Sequence, residues 1–158
     1  MPRNDGDQIG PPRARVRVAL IVALAATILP LAALGQPSSL PSMSTITFAP
    51  GSSTVTVSGH AQPGSRTLYY VAAQAGQTMT VSLNPAAGLA FQVYGPDTTI
   101  ARAADGSPLI TGRTLPGAGS ADNAQAWMGA LPATGNYLIT VGPIGAAGAL
   151  FSLTVTLQ

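Results

Sequence analysis

From Thr45 to the carboxyl end, apolar and polar residues alternate in short runs. Ile46 and Phe48 share one face, as do Val55 and Val57, with Thr54, Thr56 and Ser58 opposite them. Met79, Val81 and Leu83 alternate with Thr80 and Ser82, and Phe91 and Val93 flank Gln92. Tyr137, Ile139 and Val141 form another such row, and Phe151, Leu153, Val155 and Leu157 close the chain with Ser152, Thr154 and Thr156 between them. A period of two marks a strand with one covered and one wet face. Valine, threonine and the aromatics suit that pleated surface. Pro50-Gly51, Pro63-Gly64, Ala75-Gly76, Gly95-Pro96, Gly106-Ser107-Pro108 and Thr134-Gly135-Asn136 punctuate the runs as turns. The pattern predicts an all-β, antiparallel β-sandwich rather than a parallel sheet with helices. Residues 101–123 depart from it. They are rich in glycine, alanine and polar residues, with Leu109, Ile110 and Leu115 as apolar anchors. That stretch exceeds an ordinary sandwich connection and reads as a functional or mobile loop.

The amino end has a different grammar. Arg13, Arg15 and Arg17 precede an apolar stretch from Val18 to Leu34, broken only by Thr27 and Pro30, which ends in Ala33-Leu34-Gly35. A basic region, an apolar core and a small-x-small cleavage site describe a signal peptide over residues 1–35. Residues 36–44 are then a short flexible leader, rich in serine and proline, and residues 45–158 the sandwich. The rival reading is an uncleaved anchor, since the run is close to the minimum of about 17 residues for a spanning helix, with the arginines inside. Both readings export the domain to a secreted or periplasmic location. Membrane contact is expected only through this segment, if it is retained. The chain has no cysteine, so neither a lipid-modified cysteine nor a disulfide framework is available.

Charge narrows the function classes. After residue 35 the ionised side chains are Arg66, Arg102 and Arg113 against Asp97, Asp105 and Asp122, a balanced set. The basic character of the whole chain therefore resides in its amino end. Three scattered arginines give no footprint for nucleic acid and no polybasic patch for anionic lipid.

Candidate chemistry is sparse. The single histidine, His60, falls where a strand meets a turn, and no Gly-x-Ser-x-Gly elbow is present. Asp97 and Asp105 sit in Pro-Asp-Thr and Asp-Gly contexts, where aspartate closes a turn locally. A calcium site would need Asp97, Asp105, Asp122 and Asn123 to converge. Zinc has one histidine and no cysteine to bind it. No cofactor and no enzymatic activity are expected. Trp127 and Tyr137 read as core residues that pin the corner before a final hairpin. Tyr69 and Tyr70 point to opposite faces of one strand. Tyr69 is the surface candidate, because Tyr70 shares parity with Leu68 and Ala72.

Several phrases then fall in order. A strand, an Ala75-Gly76-Gln77 turn and a second strand ending at Leu83 are followed by Phe91-Gln92-Val93-Tyr94-Gly95-Pro96. Next come Trp127-Met128-Gly129-Ala130-Leu131-Pro132, Gly135-Asn136-Tyr137 and a closing strand. The order resembles secreted bacterial β-sandwich domains of the pre-peptidase C-terminal type, and is most similar to the branch containing periplasmic inhibitors of g-type lysozyme. The resemblance implies a jelly-roll-like sandwich of about eight or nine strands. Where those inhibitors carry a basic Met-Arg-x-x-Ala-Arg stretch, this chain reads Gly142-Pro143-Ile144-Gly145-Ala146-Ala147-Gly148, without arginine. The resulting expectation is an exported, non-enzymatic domain that binds a secreted or envelope protein through loops at one end of the sandwich. Tyr69, Asp122, Pro143 and Ile144 are its candidate contact residues. The alternatives are a lysozyme inhibitor whose basic loop has been replaced, and a carbohydrate- or calcium-dependent adhesion module.

Overall fold

The computed structural model describes residues 43–85, 88–104 and 107–158. The expected signal segment, residues 36–42 of the leader, and Asp105 lie outside them. The chain divides into Met1–Leu34 and Gly35–Gln158, and every described residue belongs to the second unit.

The described residues form strands and turns without a helix. The strands are β1 (Met43–Ile46), β2 (Thr54–Ala61), β3 (Thr67–Ala73), β4 (Thr78–Asn84), β5 (Leu89–Tyr94), β6 (Thr99–Arg102), β7 (Pro108–Thr111), β8 (Ala126–Ala130), β9 (Gly135–Pro143) and β10 (Ala149–Leu157). One sheet has the order β1-β3-β9-β5, the other β2-β10-β4-β8, and β6-β7 pair by themselves. Apart from that small ribbon, each strand lies in the sheet opposite to its predecessor. The expected final hairpin is therefore a crossing: β9 and β10 belong to different sheets. Pairing is antiparallel except for β1, which runs parallel to β3. The two strands enter their sheet in the same direction, with β2 in the other sheet between them. Met43 and Ser44, expected in the leader, pair with Leu68 and Tyr69 as part of β1.

The alternating rows meet as predicted. Val71, Phe91, Val93, Tyr137, Ile139 and Val141 of one sheet pack with Met79, Val81, Leu83, Leu153 and Val155 of the other in a single core. On the far face of β10, threonine and serine pairs bridge to β2, as with Thr54–Thr156 and Thr56–Thr154 at 2.9 Å. Such cross-strand hydroxyl pairs add to sheet stability.

Tyr69 is a correction. It is only 4% exposed and meets Phe151 edge-on with ring centroids 6.4 Å apart. Parity misled because both faces of β3 are apolar. Leu68, Leu138 and Thr140 lie on the other face of this sheet and are also fully buried. A strand covered on both sides loses its inward and outward signature.

Residues 101–123 are also more ordered than the composition suggested. β6 and β7 form the ribbon, and the following segment runs along the open edge of β5. Leu115 N–H donates to the Val93 carbonyl at 2.8 Å, Val93 N–H to Ala118 at 3.0 Å and Phe91 N–H to Ala124 at 2.8 Å. Leu115, Ala118 and Ala124 enter the core. The segment thus closes a sheet edge that would otherwise display unpaired backbone groups.

Candidate functional site

Turns from three parts of the chain gather where β9 crosses to β10. The turn before β3 is closed by Ser65 N–H donating to Gln62 O at 3.1 Å, and it delivers Arg66 to the strand's first residues. The crossing itself is tied to the β4–β5 turn, Ile144 N–H donating to Gly88 O at 2.9 Å. Gly148 permits the approach of the β2 end: a Cβ there would stand 2.6 Å from the Ala61 carbonyl oxygen. The third turn is built by Asp122, whose Oδ2 accepts from Gly119 N–H at 2.7 Å while its own N–H donates to Gly119 O at 3.2 Å. Asn123 follows with φ of 46°, a left-handed conformation that asparagine tolerates, and Ala124 then pairs with Phe91.

Two cavities open between these turns. One, of about 160 Å³, is lined by Arg66, Gln92, Ser120, Asn123, Pro143 and Ile144 among others. The second, of about 220 Å³, lies between Gly64, Ser65 and Arg66 on one side and Gly142, Pro143 and Gly145 on the other. Arg66, Gly142 and Pro143 border both. The Arg66 side chain is exposed; its stem passes Gly142, where a Cβ would come within 3.3 Å of its Cγ. Its Nη1 donates to Thr140 Oγ1 at 3.5 Å. Among the described residues no carboxylate pairs with it. Gln92 is 7% exposed, and its Oε1 accepts from the Tyr94 hydroxyl. Ile144, by contrast, is 50% exposed.

Of the sequence candidates, Pro143 and Ile144 line the first cavity, Asp122 shapes the turn that brings Ser120 and Asn123 to it without lining it itself, and Tyr69 lies elsewhere. Burial raises the Tyr69 phenol above its ordinary value of 10.0. Arg66 was missed. Its only sequence signal was being one of three arginines after residue 35, placed directly after a Pro-Gly-Ser turn. His60 is exposed on β2, away from both cavities. Asp97 sits in the turn after β5. Among the described residues no three acidic or histidine side chains gather as a metal would require. What this end offers is the Arg66 guanidinium and polar side chains lining a cavity together with the exposed aliphatic Ile144.

The opposite end explains the two sequence blocks that define the resemblance. Gly76 N–H donates to Leu131 O at 2.9 Å, Leu131 N–H to Gln77 O at 2.8 Å, and Ala75 N–H to Thr134 Oγ1 at 2.9 Å. The Ala-Gly-Gln turn and the Leu-Pro-x-x-Gly turn are thus bonded to each other. Fully buried Tyr137 holds the same corner, donating its hydroxyl to Ala133 O at 2.6 Å and accepting from Ala133 N–H at 3.2 Å. Trp127 packs against the core from β8, and its indole N–H donates to Pro116 O at 2.8 Å.

No protein-family model matches the chain, and no curated protein matches its sequence. Solved structures do. The chain is similar to Aeromonas hydrophila PliG, a periplasmic inhibitor of g-type lysozyme, at 27% identity and a TM-score of 0.56, over 75% of this chain and 98% of that one. An Escherichia coli PliG mutant aligns at 18% identity and TM-score 0.53, over 75% of this chain and 99% of its own. Salmonella Typhimurium PliG aligns at 18% and 0.52, over 74% and 98%. The latter two support the shared fold.

Proposed function

We propose that the protein is an exported, non-enzymatic inhibitor that binds a secreted lysozyme, of the g type first, through the turn cluster around Pro143 and Ile144. The carrying observation is the 27% identity with Aeromonas hydrophila PliG across nearly the whole of that inhibitor. Residues 1–35 act in this reading as the signal peptide that delivers the domain to the periplasm or beyond. Ile144, half exposed on a turn tied down at Gly88, supplies a preorganised apolar contact next to Pro143, with the Asp122 turn contributing Ser120 and Asn123 to the same cavity. Preorganisation favours affinity because little conformational freedom is left to lose on binding. A role as a binding domain for some other secreted or envelope protein would use the same end of the sandwich.

Calorimetric titration of the purified protein into a g-type lysozyme tests the reading. A saturable complex of one to one, weakened at least about tenfold by Ile144→Asp, is the expected result. Absence of heat and of co-elution with a folded sample overturns it.

A further inference from the structure

The cavity beside Arg66 has one chemical character. Arg66 is two residues before Leu68 on β3, and Leu68 and Gln92 both register with Thr140 of β9. Arg66, Thr140 and Gln92 therefore share one face of the sheet across three adjacent strands. Thr140, fully buried, is the acceptor that holds one guanidinium N–H. Gln92 as a residue is more than nine-tenths buried, and its carboxamide oxygen is taken by the Tyr94 hydroxyl. Its Nε2 has no protein partner among the described residues, yet it is not a sealed, unsatisfied group. Gln92 and Arg66 both line the 160 Å³ cavity. Ser120 and Asn123 also line it. No carboxylate is among the described residues that line the cavity, and Asp122, adjacent in sequence to Asn123, has Oδ2 occupied by Gly119 N–H.

Donors without a matching acceptor call for an anion. We propose that this cavity is a carboxylate site, and that Arg66 with Gln92 receives an aspartate or glutamate side chain presented by a partner protein. A guanidinium offers planar, paired N–H donors suited to a carboxylate. Size sets the class of ligand. At roughly 30 Å³ per water, the cavity has room for about five waters, enough for a carboxyl group and a short stem. Position sets its source: Pro143 and Ile144 form one wall, so a carboxylate entering here brings its own protein surface against the exposed Ile144. This second part rests on the reading that a protein docks at this end.

Nuclear magnetic resonance titration of the purified protein is the test, observing the Arg66 Nε–H and the Gln92 side-chain amide. The probes are N-acetylglutamate, its neutral counterpart N-acetylglutamine, and inorganic phosphate. N-acetylglutamate is expected to shift both resonances saturably. N-acetylglutamine should bind at least about tenfold more weakly, as should N-acetylglutamate to Arg66→Gln. Asp122→Asn should tighten binding of the acid by removing a nearby negative charge. Arg66 is exposed, so its variant keeps the fold, which an unchanged core spectrum verifies. Equal shifts from acid and amide, or no effect of Arg66→Gln, overturn the site. Tighter binding of phosphate than of N-acetylglutamate overturns its assignment to a partner's carboxylate. The outcome is independent of lysozyme: acid binding without lysozyme binding leaves the site standing and removes the inhibitor reading, and the converse does the reverse.

Discussion

Gly129→Ala isolates one contact that the fold depends on at its exposed edge. Trp127 and Gly129 are two apart on β8, so they share the core-facing side of the strand opposite Val81 and Met79. The indole lies back along its own strand over Gly129. A Cβ there would stand 2.4 Å from Trp127 Cζ2 and 2.8 Å from Cη2. Carbon atoms in contact sit at about 3.5–4.0 Å, so the ring must move by at least about 1 Å. A displacement of that size away from Pro116 takes the indole N–H, now 2.8 Å from Pro116 O, outside hydrogen-bonding range. Overpacking costs about 1–3 kcal/mol and the lost bond about 1 kcal/mol. Alanine returns roughly 0.5–1 kcal/mol through the backbone freedom that glycine loses on folding. The net expectation is a destabilisation of about 1–3 kcal/mol. Trp127 is the chain's only tryptophan, so fluorescence reports the event directly: a red-shifted emission and greater acrylamide quenching in the native state, with a lower urea midpoint by circular dichroism. Unchanged emission together with a gain in stability would show that the ring does not rest on Gly129, and the account of the Trp-x-Gly spacing would be wrong.

Tyr137→Phe removes both hydrogen bonds to Ala133 and should lower stability by about 1–3 kcal/mol in urea with an unchanged slope; a loss below about 0.3 kcal/mol would deny the corner its role. On β10, Leu153→Ala at a fully buried position should cost about 2–5 kcal/mol, whereas Leu150→Ala, three residues earlier and 73% exposed, should stay within about 0.5 kcal/mol. Similar losses at both would contradict the burial pattern. The Tyr69 phenol, raised by burial, favours the folded state while neutral. That contribution is fully present below the ordinary tyrosine value and is lost as pH rises through the raised one. Tyr69→Phe should therefore flatten the alkaline fall of stability seen in pH-dependent melts, and an equally steep fall would refute the assignment.

Much of the fold was legible because sheet faces impose a strict period. The rows from Met79 to Leu83, from Tyr137 to Val141 and from Phe151 to Leu157 all face the core. Three things were not legible. Tyr69 was assigned outward because β3 is apolar on both faces, and its parity carries no direction. Residues 101–123 read as a loop because their pairing with β5 runs through backbone groups, which composition does not report. The crossing of successive strands between sheets leaves no local mark either, since a turn between sheets uses the same proline and glycine signals as a hairpin. At the candidate site, Pro143 and Ile144 stood out as the place where the basic stretch of the g-type lysozyme inhibitors has no counterpart. Arg66 did not, because its relation to Gln92 is created by register across β9 and not by spacing along the chain.

The central claim is inhibition, and turnover of bacterial cell walls by a panel of lysozymes of the g type and of other types measures it most directly. Added in stoichiometric excess, the purified protein should abolish g-type activity while leaving at least some of the others untouched, and Ile144→Asp should relieve the effect. Full g-type activity in the presence of folded protein would contradict the account and leave the domain a binding module for another secreted or envelope protein.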